Sequence, residues 1–396
     1  MYSMLRTCLR TSLPGKCFGP RHTSRARRGI TRYRLIEDVE DLNKYCPGGY
    51  HPTYIGDQLN NGRYQVVDKL GYGGYSTIWL ARDLRTSKYV AVKVVTADTS
   101  DGLAESILMK DLYDAPSKPG KETIPTLVEE FWVTGPNGKH RCIVTAAAQM
   151  SLHDAREASI HGLFQPKVAQ SIVAQLFGVP SNELTLGRDK IMISDFGESF
   201  NPQTLSKRFS KTLPLLQPPE TRFSDEPLLF PSDMWTLACT IWEILGHRPL
   251  FEAYFASADR VTKEQVEVFG KLPPEWWGNW SKRLDWINEE GELKLSSEGP
   301  GFQDVVRRTL DVRFEHNIQK SRIEAGLEVM TDKEKRAFQT MLRSMLRFQP
   351  KKRAGVFLVL EEIDGTKAPG DIMVVTHETM RLVDGKFLKW RDQATL

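Results

Sequence analysis

No apolar run in this 396-residue chain approaches the roughly 20 residues needed to cross a bilayer, so no transmembrane helix is expected. Cysteine is scarce as well. The five cysteines, Cys8, Cys17, Cys46, Cys142 and Cys239, stand far apart and form no CxxC pair. That spacing argues against a disulfide framework or a zinc site and suits a reducing intracellular compartment. Acidic residues are missing altogether from residues 1–36, which carry nine Lys and Arg. Taking those nine from the net charge of +4 leaves the other 360 residues at −5. A basic, acid-free start bearing Ser and Thr has the composition of a mitochondrial transit peptide, and a disordered basic tail has it too. The mildly acidic remainder gives no reason to expect a direct nucleic-acid partner.

What is present is ordinary for a globular protein: 40% hydrophobic and 26% charged residues. The length admits two or three domain-sized units or one large bilobal one. Residues 63–95, RYQVVDKLGYGGYSTIWLARDLRTSKYVAVKVV, alternate apolar and polar positions and predict three successive strands with glycine turns between them. TADTSDGLAESILMKDLY follows, with Ser and Asp cap candidates ahead of a short helix. LVEEFWVTG and HRCIVTA predict two more strands, turned over Gly135, Pro136, Asn137 and Gly138. From about residue 151 the pattern is mostly helical. PSDMWTLACTIWEILGHRP, 231–249, predicts a helix capped by Ser232, ended by Gly246 and buried on nearly every face. The Trp- and Pro-rich stretch 271–293 is too irregular to assign.

Chemistry is suggested by three groups of residues. Gly71-Tyr72-Gly73-Gly74-Tyr75-Ser76 is a glycine-rich turn whose backbone N–H groups can approach phosphate oxygens. A strand follows it, where a dinucleotide-binding fold would need a helix. Lys93 closes the apolar strand Val90-Ala91-Val92, 22 residues after Gly71, and Glu105 in the next helix is its candidate carboxylate partner. Asp195-Phe196-Gly197 follows Ile191-Met192-Ile193, which reads as another strand, and a carboxylate there can bind magnesium. Glu220, in Pro218-Pro219-Glu220, lies 25 residues after Asp195, and Arg353 is its expected buried ion partner. Asp233 opens the buried helix.

In this order the constellation resembles the eukaryotic protein kinases. LGYGGYSTIWLARDL, WTLACTIWEILGHRPLF and LPPEWWGNW resemble fungal members of the SR-protein kinase family, which act on serine/arginine-rich splicing factors. The resemblance covers roughly residues 40–362. It implies an α+β, bilobal protein kinase fold with a small β-rich N-lobe over about 61–150 and a larger, mainly α-helical C-lobe over about 151–362. The kinase domain is then 37–362, between a basic segment at 1–36 and a tail at 363–396. The resemblance also implies ATP and Mg2+ as cofactors, with Gly71, Gly73, Gly74, Ser76, Ile78, Ala91, Lys93, Glu105, Thr145 and Ala147 at the nucleotide and Asp195 at the metal. Phe196, Gly197, Glu220, Asp233 and Arg353 take structural roles. The family implies transfer of phosphate to serines in Arg/Ser-rich proteins by a monomer of the cytoplasm and nucleus, with no membrane or direct nucleic-acid partner.

One part of the family pattern is missing. A kinase catalytic loop reads H-x-D with Asn five residues on, the Asp accepting the substrate proton and the Asn holding a second magnesium. Only 18 residues separate Leu176 from Asp195, too few for the rest of a helix, that loop and two strands. No His lies in 177–194, and five residues after Asp189 comes Ser194. Arg188-Asp189 is therefore rejected as the catalytic pair, and His153-Asp154 is rejected because it precedes the helix and lacks the downstream Asn. No catalytic base is identified, and Asp233 is expected to be left buried without a partner. The break is abrupt, near Leu176–Val179, which fits an omitted exon or an isoform better than gradual decay. A catalytically dead, ATP-binding pseudokinase or truncated isoform serving as a scaffold is the alternative to an active kinase.

Overall fold

The computed structural model describes residues 39–101, 105–114, 121–176, 190–253, 256–292, 294 and 307–353. The segments 1–36 and 363–396, the Leu176–Val179 junction beyond Leu176, and Arg188-Asp189 lie outside the described residues. The chain divides into two units, 1–40 and 41–396, and the structure below belongs to the second.

Six strands form one antiparallel sheet in the order β1-β2-β3-β4-β6-β5. They are β1 Gln58–Leu59, β2 Tyr64–Tyr72, β3 Ser76–Asp83, β4 Tyr89–Val95, β5 Leu127–Gly135 and β6 Gly138–Ala146. The five strands predicted from alternation all form, and the turn from β5 to β6 falls at Gly135–Gly138, as its residues require. Pairing partners share a face of the sheet. One face carries Trp79, Ala81, Val90, Val92, Val94, Cys142 and Val144, which join Tyr64 and Phe131 in an apolar core. The other face carries Ile78 opposite Lys93 and Ala91 opposite Thr145.

One helix, α1 Glu105–Asp114, falls between β4 and β5, and the other α-helices follow the sheet, separated by irregular stretches such as 199–213. The later helices are α2 Leu152–Glu157, α3 Pro166–Leu176, α4 Glu220–Phe223, α5 Phe230–Leu245, α6 Ala258–Phe269, α7 Pro274–Trp277, α8 Leu310–Phe314, α9 Ser321–Glu324 and α10 Asp332–Met345. A second core gathers α3, α5 and α10 around Trp235, Trp242, Ile241, Phe314 and Leu342, all fully buried. Each such side chain adds roughly 1.5–3 kcal/mol through burial alone. The unassigned Trp-rich stretch packs as a small cluster of Trp276, Trp277, Trp280, Leu272 and Ile287.

Local expectations fail at two points. Ser232 does not cap α5, which begins two residues earlier with Leu229 as its cap. Pro231 supports that earlier start, since a first-turn residue has no N–H bond to lose, and the Ser232 hydroxyl donates instead to Glu220 Oε1 at 2.9 Å. The Ser100 hydroxyl bonds the Thr96 carbonyl at 2.9 Å and accepts from the Arg141 N–H at 3.0 Å. Ile191-Met192-Ile193 belongs to no ladder. No described strand lies beside it, so its N–H groups turn elsewhere: Ile191 to the Gln175 side chain at 3.0 Å and Ile193 to the Thr123 carbonyl at 2.7 Å.

Candidate functional site

Sheet and helix bring the singled-out charges together at Lys93. Its strand is central, so Lys93 is held with only 8% of its surface exposed. Its ammonium donates to both oxygens of Glu105, at 3.0 and 2.8 Å, and to Asp195 Oδ1 at 2.9 Å. Glu105 is buried at the start of α1, whereas the Asp195 side chain is 67% exposed. A buried ammonium needs such partners, because an unpaired charge in the interior is costly.

Asp195 has φ +66° and ψ +65°, a left-handed conformation that non-glycine residues seldom hold. Such local strain costs about 1–3 kcal/mol and gathers at functional sites. Phe196–Glu198 then form a short helical turn packed against α1. The run-up to Asp195 is anchored from α3: Gln175, 1% exposed, bonds its own helix at Ser171 and accepts from Ile191. The end of α3 and the approach to Asp195 are therefore fixed to each other.

The glycine-rich turn lies over this centre. Gly71 pairs with Ile78, and the turn is closed by the Gly73 N–H donating to the Ser76 carbonyl at 2.8 Å. A Cβ on Gly71 would meet nothing within 4 Å, so the fold itself does not demand glycine there. Open space above a backbone is what an approaching ligand requires. Tyr75 turns down into the site, where a Cβ on Gly197 would fall 2.4 Å from its hydroxyl. The ammonium groups of Lys93 and Lys211 each lie 5.4 Å from its ring centroid. Burial, and then the carboxylates of Asp195, Glu198 and Glu105, push the Tyr75 hydroxyl well above its ordinary pKa. Thr145, half-buried near the end of β6, pairs with Ala91, and half-buried Ala147 follows the strand.

Tyr75, Lys211 and Glu198 were not singled out in the sequence. Tyr75 stands inside the quoted glycine-rich stretch, which was a usable signal. Lys211 bonds Glu198 at 2.5 Å, and no periodicity marks either residue.

The structural residues divide. Arg353, fully buried, donates to both oxygens of Glu220 at 2.6 and 2.5 Å, so the expected ion pair is present. Asp233 contradicts the expectation of burial: it is solvent-exposed at the start of α5 and has no hydrogen-bond partner among the described residues. The protein crowded around it still raises its carboxyl pKa by desolvation. His153 and Asp154 sit in α2, where Asp154 accepts from the Ser151 hydroxyl at 2.7 Å in an exposed cap. Among the described residues no group of three or more His, Cys, Asp or Glu could hold a metal ion. A separate cavity of about 300 Å³, lined by His161, His247, Arg248, His316 and Lys320 among others, shares no residue with this centre.

No protein-family profile matches the chain. Over 112 residues, 27% of the chain, it is 46% identical to SRSF protein kinase 3 of Homo sapiens, of which that stretch is 20%. Over an equal 112 residues it is 42% identical to serine/threonine-protein kinase spk-1 of Caenorhabditis elegans, covering 11% of that protein. A serine/threonine protein kinase of Aspergillus fumigatus aligns along 365 residues at 22% identity, covering 80% of the chain and 87% of the relative. The chain thus spans about a fifth or less of the first two relatives and most of the third. It is a relative of the protein kinases.

Proposed function

We propose that the chain is an ATP-binding protein of the SR-protein kinase type, organised as a β-rich lobe and a helical lobe. Its family chemistry is transfer of the ATP γ-phosphate to serines in Arg/Ser-rich proteins. The observation that carries this reading is Lys93 held between Glu105 and Asp195 beneath the glycine-rich turn. Lys93 would hold the α- and β-phosphates, and N–H groups of the Gly71–Ser76 turn would meet phosphate oxygens. Asp195 fits a magnesium ligand, since its Oδ2 has no partner among the described residues and its side chain is largely exposed. One carboxylate with nucleotide phosphates is an ordinary magnesium environment. Asp195 would hold Mg2+ there, and the ion would supply neutralisation of phosphate charge. The family places such a protein in cytoplasm and nucleus as a monomer, with import directed by residues 1–36 as the alternative.

A second reading, binding without transfer, is favoured by one observation: no His lies in 177–194 and Ser194, not Asn, stands five residues after Asp189, so the H-x-D loop pattern is missing from the sequence before Asp195. Loss of a base costs 10²–10⁴-fold, about 3 to 5 kcal/mol of barrier. Calorimetry with ATP and magnesium, paired with labelled-phosphate incorporation into an Arg/Ser peptide, tests both readings. The expected result is nucleotide binding that Lys93→Met weakens, with incorporation at or near background. Absence of ATP affinity in the wild-type chain would overturn the proposal. Robust, Lys93-dependent incorporation would instead sink the second reading and establish turnover.

A further inference from the structure

Residues 44–50, ahead of the sheet, are fastened to the glycine-rich turn. The Lys44 ammonium donates to the Gly74 carbonyl at 2.9 Å, and the Tyr50 hydroxyl donates to the Gly73 carbonyl at 2.7 Å. This strap is itself tied down. The Gly48 N–H donates to the Asn137 carbonyl at 2.7 Å, and the Asn137 side-chain amide donates to the Tyr50 carbonyl at 2.7 Å. The N–H groups of Ala97 and Asp98 donate to the Gly49 and Gly48 carbonyls at 3.1 and 2.8 Å. Gly48 has φ +86°, and a Cβ there would lie 2.3 Å from an Asp98 carboxylate oxygen, so this approach requires glycine. Tyr50 is 2% exposed. So many fixed contacts describe a built contact and not a chance apposition.

Its consequence follows from peptide geometry. In a planar trans peptide the C=O and N–H point in opposite directions. Holding the Gly73 and Gly74 carbonyls toward the strap turns the N–H groups of Gly74 and Tyr75 away from it. Among the described residues neither N–H has an acceptor. Two successive unpaired N–H groups are the elements of an anion-binding concavity. A turn already set in that form loses less freedom when it binds, which raises affinity.

We propose that Lys44 and Tyr50 are positioning residues of the nucleotide site: they preset the glycine-rich turn so that the Gly74 and Tyr75 N–H groups meet phosphate oxygens. The proposal rests on the nucleotide-binding reading above. Tyr50→Phe keeps the ring and removes only the hydroxyl, and Lys44→Met removes the other contact. Each bond lost should weaken ATP affinity of the full chain by about three- to tenfold. In nucleotide-free protein, amide exchange at Gly73, whose N–H closes the turn, should quicken in both variants. A merely structural strap would lower the melting temperature and leave ATP affinity alone. Wild-type ATP affinity in both strap variants, beside normal binding by the unaltered chain, overturns this proposal and spares the nucleotide reading. No ATP affinity in the unaltered chain overturns both.

Discussion

At the scale of single residues, two histidines carry a pH dependence that the phosphate chemistry does not. His51 and His140 meet edge to face with ring centroids 5.0 Å apart, and His140 is fully buried with Nδ1 2.9 Å from the Val95 carbonyl. Both pKa values are lowered from 6.5. For His51 the causes are burial and then His140, partly opposed by Asp57; for His140 the cause is burial, partly opposed by the Val95 carbonyl. The folded chain therefore keeps both rings neutral at a pH where the unfolded chain has begun to take up protons. Their stabilisation is complete above about pH 6.5 and is lost as the pH falls below it. The melting temperature should drop between pH 7 and pH 5, and a His51→Gln, His140→Gln chain should show a shallower drop. An equal slope in the two proteins would contradict this assignment. Because His51 adjoins Tyr50, the same loss would loosen the strap over the glycine-rich turn.

At the scale of elements, the Glu220–Arg353 pair holds the segment after α10 to α4 and to the start of α5. Arg353 also donates to the carbonyls of Pro231, Arg347 and Phe348 at 2.9, 2.7 and 2.9 Å. Breaking a buried pair from one side costs about 3–5 kcal/mol, because the remaining charge stays desolvated. Arg353→Lys should lose most of that stability, since an ammonium lacks the planar fork that serves two carboxylate oxygens and three carbonyls together. Urea unfolding should show a lower midpoint with an unchanged slope. A midpoint within error of wild type would mean that the fork is dispensable. This pair was legible in the sequence from Pro218-Pro219-Glu220 and a distant Arg353. The α5 start was not, because Ser232 and Pro231 compete for the same turn and only the nearby Glu220 settles which role Ser232 takes. The Ile191–Ile193 strand was misread for a related reason: an apolar run states a preference, and a ladder needs a neighbour.

At the scale of the whole molecule, the question is the short path from α3 to Asp195. Gln175 and Ile191 are bonded directly, so the residues on both sides of the break keep a shared geometry. Asp233 is exposed at its surface, yet desolvation raises its carboxyl pKa, so part of the penalty expected of a stranded carboxylate remains. The helical core and the Lys93 centre are both assembled among the described residues on the two sides of this path. We expect a longer transcript with an insertion near Leu176–Val179, encoding an H-x-D loop with Asn five residues on. Full-length cDNA reads across codons 170–195 check this. If every read carries the short junction, the omission is real, and binding without transfer becomes the better reading.

What the sequence by itself determined was periodic or ordered along the chain. Alternation placed five strands, glycines placed the β2–β3 and β5–β6 turns but not the β3–β4 turn over Leu84–Lys88, and the order of Gly71, Lys93, Glu105, Asp195 and Glu220 marked the kinase relationship. These features are legible because they depend on neighbours a few residues away or on a fixed succession of motifs. Only the tertiary structure decided which donors meet which acceptors across long separations. It set Tyr75 onto Gly197, turned Ser232 to Glu220, exposed Asp233, and laid Lys44 and Tyr50 over a turn 23 to 30 residues ahead. A hydrogen bond between distant residues depends on where the intervening elements pack, and no local propensity encodes that distance.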